Sequence, residues 1–265
     1  MTTPLTRAVH DNYANTIEQS IAVVNQRIDD ITNGRVAPAV DDIAIGSARK
    51  VMAAAIFFDI RGFTQRVFSA DIDELKKTLF MLDLVIPAMM RVLFRHGAYV
   101  EKNTGDGLMA VLGVDTDNAE TANNALSACA EMLYVLDKIV NPALSRHGIA
   151  PVDARIGVDM GQILLARIGL PTGAADHHRS SLTAVGPAAN IACKLQGMAG
   201  TNEIWCGDKV KACATRGSAN DYQLTTPLDW TWVWSNTGTT YHCWRYLPRK
   251  QNPYLSALMM LAQGH

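Results

Sequence analysis

The N-terminal segment carries apolar residues at alternating intervals of four and three positions: Ile17, Ile21, Val24, Ile28 and Ile31. This spacing predicts a helix with one narrow apolar seam. We expect the helix to end at Gly34 and residues 1–46 to form an N-terminal helix and linker. The seam must be buried, and two interpretations stay open. The helix packs on its own domain, or it pairs with a second copy across a twofold axis as a dimerisation segment.

From residue 47 to residue 265 the pattern changes to alternating strands and helices. The first part predicts a central strand, a helix, a hairpin and a second long helix: Val51–Phe58, Asp71–Phe94, Ala98–Asn103 with Leu108–Leu112, and Asp117 to His147. The hairpin turn is TGDG, and Asp-Gly is a strong hairpin signal. Asp117 and Glu120 form a capping-box pattern at the start of the second helix.

The later part predicts a strand pair around Met160-Gly161, then a short extended stretch, a helix opened by Gly186-Pro187 and a strand: Ala154–Asp159, Ile163–Ile168, Leu182–Val185 and Glu203–Cys206. A Trp-rich tail with alternating residues predicts further strands at one edge of the sheet. The order strand-helix-strand-strand-helix-strand is typical of an α+β, ferredoxin-like βαββαβ fold. We therefore expect one domain over residues 47–265, with extra C-terminal strands and an N-terminal helix.

Composition and charge exclude several classes of protein. The chain has 265 residues, 48% of them hydrophobic, and 24 basic against 25 acidic residues leave a formal net charge of -1. The sequence contains no block of basic residues of the kind that predicts a nucleic-acid partner. The apolar stretch Thr78 to Phe94 is interrupted by Asp83, Pro87 and Arg91, which favours a buried amphipathic helix over a membrane span. Five cysteines without a CxxC motif, and no signal-peptide pattern, predict reduced thiols and a cytoplasmic protein.

Two acidic residues stand at the ends of predicted strands. Asp59 closes IFFDIRGFT and Asp106 lies in the turn TGDG, so neighbouring strands would project both carboxylates from one sheet edge. Two hard oxygen ligands without histidine or cysteine suit Mg²⁺ or Mn²⁺. Directly after Asp59 the chain runs into a helix start, where free backbone N–H groups can hold a triphosphate. That loop consists of Arg61, Gly62, Phe63 and Thr64.

Four stretches resemble, in order, the signature sequences of class III nucleotidyl cyclases: FFDIRGFT, EKNTGDGLMAVLG, ARIGVDMG and LTAVGPAANIACKLQ. They cover roughly Ala53 to Cys206. The resemblance implies a class III cyclase domain that forms a homodimer with composite active sites. It assigns the ligation of two Mg²⁺ or Mn²⁺ ions to Asp59, Asp106 and the carbonyl of Ile60. It assigns phosphate contact to the loop through Thr64 and to Arg155.

The same resemblance implies that the partner chain completes each site. Base recognition would come from Lys102 and Thr183, and ribose contact from Asn190. The family usually has an arginine four residues after this asparagine, at the transition-state charge, and here the position is Lys194. A lysine is a point charge without the planar fork of arginine. A lysine that the family commonly carries near the C-terminus also has no counterpart, because none occurs between Lys211 and Lys250.

The base-facing pair narrows the substrate only in part. Lys102 is a donor, which disfavours guanine, but it can serve adenine, cytosine or uracil, and Thr183 can donate or accept. The stand-alone layout, with Lys194 in place of arginine, resembles the pyrimidine cyclases of the bacterial Pycsar antiphage system. That resemblance implies cyclic UMP, or else cyclic CMP, as an alarm signal for a separate effector protein.

Three other functions remain open from the sequence. An adenylate cyclase making cAMP from ATP fits Lys102 and Thr183. A non-catalytic nucleotide-binding regulator fits the altered cation positions. A purely structural dimerisation module would leave the two motifs FDIRGFT and TGDG as coincidence.

Overall fold

The computed structural model describes residues 32–33, 43–68, 71–103, 105–114, 116–169 and 180–248, without the side chains of residues 32, 33 and 100–103. The predicted N-terminal helix therefore lies outside the described residues. The division into residues 1–46 and 47–265 stays a prediction. One part of that prediction is wrong, because Thr32–Asn33 pair in parallel with Arg49–Lys50 and so do not continue a helix to Gly34.

The described residues form one nine-stranded sheet, in which β2 and β5 are the longest strands. The sheet follows the order β3-β4-β2-β5-β7-β9-β8, with β1 paired to β2 and β6 paired to β5. The strands are β1 (Thr32–Asn33), β2 (Ala48–Ile60), β3 (Tyr99–Asn103), β4 (Gly107–Leu112), β5 (Ala154–Gly169), β6 (Ser180–Val185), β7 (Glu203–Gly207), β8 (Tyr222–Leu224) and β9 (Cys243–Tyr246).

The helices lie between these strands: α1 (Phe63–Arg66), α2 (Ile72–Arg95), α3 (Asn118–Val135), α4 (Asn141–Arg146), α5 (Pro187–Met198) and α6 (Asp208–Cys213). A π-helical turn, Leu136–Val140, joins α3 to α4, so the chain stays helical up to His147 as expected. The side chain of Asp71 caps α2, and that of Asp117 accepts a 2.8 Å hydrogen bond from the Glu120 amide. Such caps satisfy backbone donors that have no partner within the helix.

Helix α2 is amphipathic. Met81, Val85 and Met89 are fully buried, whereas Asp83 and Pro87 are exposed. The polar interruptions of the apolar stretch thus form a solvent face, as the sequence predicts. Within the described part of the chain, no helix has both the length and the apolar character needed to cross a bilayer.

Alternation along β2 divides the sheet into two faces. Ile56 and Phe58 point into the main core beneath α2 and α3, whereas Ala55 and Phe57 pack on the opposite side against α5. Asp59 follows Phe57 by two positions and therefore points toward the α5 side. The sheet thus places the first acidic residue of the motif on the face that carries α5.

The α+β, ferredoxin-like arrangement is confirmed, but the strand pair around Met160-Gly161 is wrong. β5 runs without a break from Ala154 to Gly169, and Gly161 pairs with Ala53 in the middle of the sheet. A Cβ on Gly161 would lie 3.2 Å from the Cβ of Ala188, so this glycine allows α5 to approach the strand. Its small size serves packing and not a turn.

A buried carboxyl group lies in the middle of β5. Asp159 is 1% exposed, and the Tyr241 hydroxyl donates a 2.7 Å hydrogen bond to its Oδ1 atom. The Lys209 amide in turn donates to the Tyr241 oxygen at 3.0 Å. Burial raises the pKa of Asp159 to about 7, although the hydrogen bond from Tyr241 and the Lys209 charge oppose this shift.

This raised pKa predicts a pH-dependent stability. Between about pH 4, where an unfolded Asp titrates, and about pH 7, the folded state binds the extra proton. The free energy of unfolding that Asp159 contributes is therefore highest at acid pH and falls as the pH rises to about 7. Asp159→Asn should abolish this slope, so urea unfolding should show the variant gaining on the wild type between pH 5 and pH 8. Parallel pH profiles for the two proteins would refute the assignment.

Candidate active site

Asp59 and Asp106 meet at one end of the central strands. Asp59 is paired with Gly107 of β4, and Asp106 directly precedes that strand. The Ile60 amide donates a 3.1 Å hydrogen bond to the Asp106 carbonyl, which closes the sheet at this point. The expected juxtaposition of the two acidic residues is therefore present.

The two carboxylates influence each other electrostatically. The pKa of Asp106 lies above its usual value, first because of burial and second because of the negative charge of Asp59. A divalent cation between them would relieve this repulsion. No cluster of three or more His, Cys, Asp or Glu residues occurs in the part of the chain that the structure describes. Two carboxylates, with the Ile60 carbonyl that the resemblance adds, would form an oxygen-only, partial ligand set that suits Mg²⁺ or Mn²⁺ bound together with substrate phosphates.

Arg155 forms an ion pair with Asp59. It faces Asp59 across β2 and β5, and its Nε and Nη2 atoms both lie 2.8 Å from Asp59 Oδ2. Its Nη1 atom donates to the Gly197 carbonyl at the end of α5 at 3.0 Å. Arg155, expected from the resemblance at the phosphates, is thus held on Asp59 and ties the strand to α5.

The loop after Asp59 turns sharply into α1. Gly62 has φ 70°, a left-handed conformation that favours glycine, and it immediately precedes the helix at Phe63. The Arg61 amide donates to the Asp153 carbonyl at 2.8 Å, and Thr64 is exposed. The Arg66 guanidinium fixes the other side of the loop by donating to the Pro151 carbonyl at 2.6 Å. The predicted helix start is confirmed, and its backbone borders the acidic pair.

A second feature is an open cavity of about 560 Å³ on the α5 side of the sheet. Thr183 of β6 and Asn190 of α5, which the resemblance assigns to the base and the ribose, both line it, and these roles stay predictions. The remaining lining residues are mostly apolar: Phe57, Met109, Ala184, Val185, Gly186, Pro187, Ala189, Cys193 and Trp232. A mostly apolar wall with a few polar groups is the usual make-up of a small-molecule site.

The structure describes the side chain of Lys194 but not that of Lys102. Lys194 is exposed, one helical turn after Asn190, and its Nζ lies 5.7 Å from the centroid of the Trp232 ring. Lys102 lies on β3 and is paired with Met109, a residue of the cavity wall. The side chain of Lys102 lies outside the described part of the structure, so its part in base recognition stays a prediction.

Sequence reasoning missed Phe57, Met109 and Trp232 as cavity residues. Phe57 could have been found, because strand alternation places it on the same face as Asp59. Met109 pairs with Phe57 across β2 and β4, so it follows from the same register. Trp232 gave no signal, since it reaches the site only through the folding of a segment about forty residues beyond Asn190.

Comparison with known proteins fits this geometry. The model of the adenylate and guanylate cyclase catalytic domain matches residues 47–229. No curated protein matches the chain in sequence. Solved structures with the same fold include the guanylyl cyclase Cya2, with TM-score 0.61 and 19% identity over 77% of this chain and 97% of that one.

Two structures from Pseudomonas aeruginosa are also similar. The adenylyl cyclase CyaB has TM-score 0.60 and 18% identity over 78% of this chain and 98% of that one. A class III adenylyl cyclase-like ATP-binding protein has TM-score 0.64 and 19% identity over 80% of this chain and 44% of that one. At these identities the similarity shows the fold, and the fold is shared by proteins that differ in the purine they act on or bind.

Proposed function

Because the chain belongs to the adenylate and guanylate cyclase catalytic domain family, we propose that it converts a nucleoside triphosphate to its 3′,5′-cyclic monophosphate and pyrophosphate. The observation that carries the proposal is the meeting of Asp59 and Asp106 at the end of β2 and β4. Their mutual repulsion makes this point of the sheet a place where cations bind favourably.

The reaction needs little covalent participation by the protein. The 3′-oxygen bonds to the α-phosphorus, the bond from this phosphorus to the bridging oxygen breaks, and pyrophosphate leaves with the electron pair. The hydroxyl proton passes to solvent. Asp59, Asp106 and the Ile60 carbonyl would hold two Mg²⁺ or Mn²⁺ ions, which supply activation of the hydroxyl and neutralisation of phosphate charge.

The remaining side chains bind and orient the nucleotide. The backbone of Gly62, Phe63 and Thr64, with Arg61, borders the acidic pair and would contact the phosphates. Arg155 already reaches this point, so a small movement would bring its guanidinium from Asp59 to a phosphate oxygen. Positioning and charge stabilisation of this kind supply most of the rate acceleration in such reactions.

The proposed active unit is a homodimer with composite sites. The acidic pair of one subunit would face the cavity of the other, where Asn190 would orient the ribose. Lys194 would meet the transition-state charge, and Lys102 and Thr183 would recognise the base. The openness of the cavity in the single chain supports this arrangement, because a catalytic site must exclude water during the reaction.

We further propose a pyrimidine nucleotide as substrate, UTP before CTP, and a role of the product as an antiphage signal for a separate effector protein. Lys194 in place of arginine and the absence of a lysine from the tail between Lys211 and Lys250 support this narrower proposal. Lys102, which we propose as a hydrogen-bond donor to the base, disfavours guanine as the substrate base.

Product analysis tests the substrate. Pure protein is incubated with ATP, GTP, CTP or UTP and Mn²⁺, and the products are resolved by mass and by comparison with 2′,3′-cyclic standards. We expect 3′,5′-cyclic UMP to form fastest and cyclic GMP slowest. Dominant cyclic AMP would overturn the pyrimidine proposal and leave the cyclase proposal standing.

One observation favours a second function. Arg155 occupies Asp59 with both Nε and Nη2, and a fixed internal cation of this kind fits a nucleotide-binding regulator without catalysis. That function predicts nucleotide binding by calorimetry with no product from any of the four triphosphates. It also predicts that nucleotide affinity is indifferent to the loss of the Asp106 charge.

A further inference from the structure

Trp232 lies in the C-terminal segment that carries Trp230, Trp232 and Trp234, at the place where this segment packs against α5. Its carbonyl accepts a 2.9 Å hydrogen bond from the Tyr241 amide, and the next residue, Val233, bridges to Thr240. Its ring lies 6.3 Å from that of Trp230, within a cluster that packs on the buried Ile191 side of α5. The backbone under Trp232 is therefore fixed, and its ring is presented to the helix that carries Asn190.

The surroundings of Trp232 differ from those of the other tryptophans. Each of the other four donates its indole N–H to a protein group: Trp205 to Glu203, Trp230 to the Tyr241 carbonyl, and Trp234 and Trp244 to Asp208. These bonds give the four rings a structural role. Trp232 and Trp244 both carry an ammonium over the ring, that of Lys194 at 5.7 Å and that of Lys211 at 3.9 Å from the centroid, but of the five described tryptophans only Trp232 borders the cavity.

We propose that Trp232 is a positioning residue that holds the Lys194 ammonium beside the nucleotide cavity, an inference that rests on the proposed cyclase function. Lysine has a flexible stem with a single point charge, so it loses much rotamer freedom when it must meet one place in a transition state. A ring that attracts the cation from within about 6 Å reduces this loss before the substrate arrives. Because Asn190 and Lys194 are one turn apart on α5, the same ring keeps the charge on the helix face that borders the cavity.

Steady-state kinetics of the full chain test the proposal, with whichever triphosphate the wild type cyclises and with Mn²⁺. Trp232→Leu should lower kcat between about fivefold and thirtyfold, the effect of losing a cation–π contact at the stronger, desolvated end of its range, because bound substrate excludes water from the site. KM should change by less than about threefold. Trp232→Phe keeps an aromatic face and should retain kcat within about threefold. Trp230→Phe is the matched control for loosening of the same cluster, because it removes an indole hydrogen bond without touching Lys194; it should lower the stability but leave kcat within about threefold of the wild type. A change in KM alone would contradict the proposal.

A double-mutant cycle separates positioning from general loosening. In a Lys194→Met background there is no ammonium to hold, so Trp232→Leu should have no further effect on kcat. Independent effects, in which the two losses multiply, would overturn the proposal. If the wild type shows no turnover, the position of the Lys194 ammonium is measured directly by spectroscopy.

A spectroscopic readout distinguishes this inference from the proposed function. Lysines are reductively methylated with ¹³C, and the Lys194 signal is assigned by its loss in Lys194→Arg. Over the Trp232 ring this signal should lie upfield of the signals of lysines that contact no ring, and it should move downfield in Trp232→Leu but not in Trp230→Phe. If the Lys194 signal lies upfield but the protein shows no turnover, the cyclase proposal is refuted and the contact between Lys194 and Trp232 still stands. A Lys194 signal unchanged by Trp232→Leu would overturn the positioning role even in an active enzyme.

Discussion

Asp106→Asn should reduce formation of the cyclic nucleotide at least about a thousandfold without lowering the melting temperature. The amide keeps the shape of the side chain but removes the charge that would hold a divalent cation. It also removes the repulsion and the burial cost of the charge that raise the pKa of Asp106. Loss of activity should therefore come with equal or higher stability, which is measured by product assay and thermal unfolding of the same preparation.

Asp106 is a better position than Asp59 for separating loss of activity from loss of stability. Asp59→Ala should also abolish activity, but it leaves the Arg155 guanidinium, which is partly buried, without its carboxylate partner. Asp137→Asn serves as the matched control, because Asp137 is exposed and forms an ion pair with its exposed neighbour Lys138. An Asp106→Asn protein with normal turnover would remove the metal assignment, and with it the main support for catalysis at this sheet edge.

Gly157→Ala should destabilise the protein by about 3 kcal/mol and also abolish activity. A Cβ at this position would overlap the Ala192 carbonyl and the Gln196 backbone nitrogen, so α5 could not keep its place on β5. Neither atom belongs to a flexible side chain, and therefore the whole helix must move. Asn190 would move with it. The free energy of unfolding is measured in urea and compared with kcat.

Gly197→Ala is the control within the same helix. A Cβ at Gly197 meets nothing within 4 Å, and alanine has the higher helix propensity. This variant should therefore be as stable as the wild type or more stable, by up to about 1 kcal/mol. If both variants lost the same stability, the close approach of α5 to β5 would not be the cause.

The parts of the fold that local signals predict are those held by local interactions. The cap of α3 at Asp117 and the hairpin pairing of β3 with β4 are confirmed because each depends on neighbouring residues. The turn assigned to Met160-Gly161 is wrong for the opposite reason. A glycine in a strand can permit a turn or a close approach, and only the position of α5 decides between them.

The candidate site shows the same division. Asp59, Asp106 and the Gly62 loop follow from strand ends and turn chemistry, so their meeting could be predicted. The engagement of Arg155 with Asp59 could not, because it depends on the register between β2 and β5. The same holds for Trp232, whose contact with Lys194 requires the turn closed by the Val233–Thr240 bridge, and the alternating pattern of the tail does not locate this turn.

The place of β9 affects how the chain matures during translation. β9 lies between β7 and β8, although residues 243–246 are made after both. A growing chain that has reached only residue 229, where the family match ends, leaves β8 without its neighbour and α5 with Trp205 but without the later aromatic residues of its cover. Because domains fold as their segments emerge from the ribosome, this site is completed late. A chain that stops before residue 243 would therefore lack both an interior strand of the sheet and the aromatic residues beside Asn190 and Lys194.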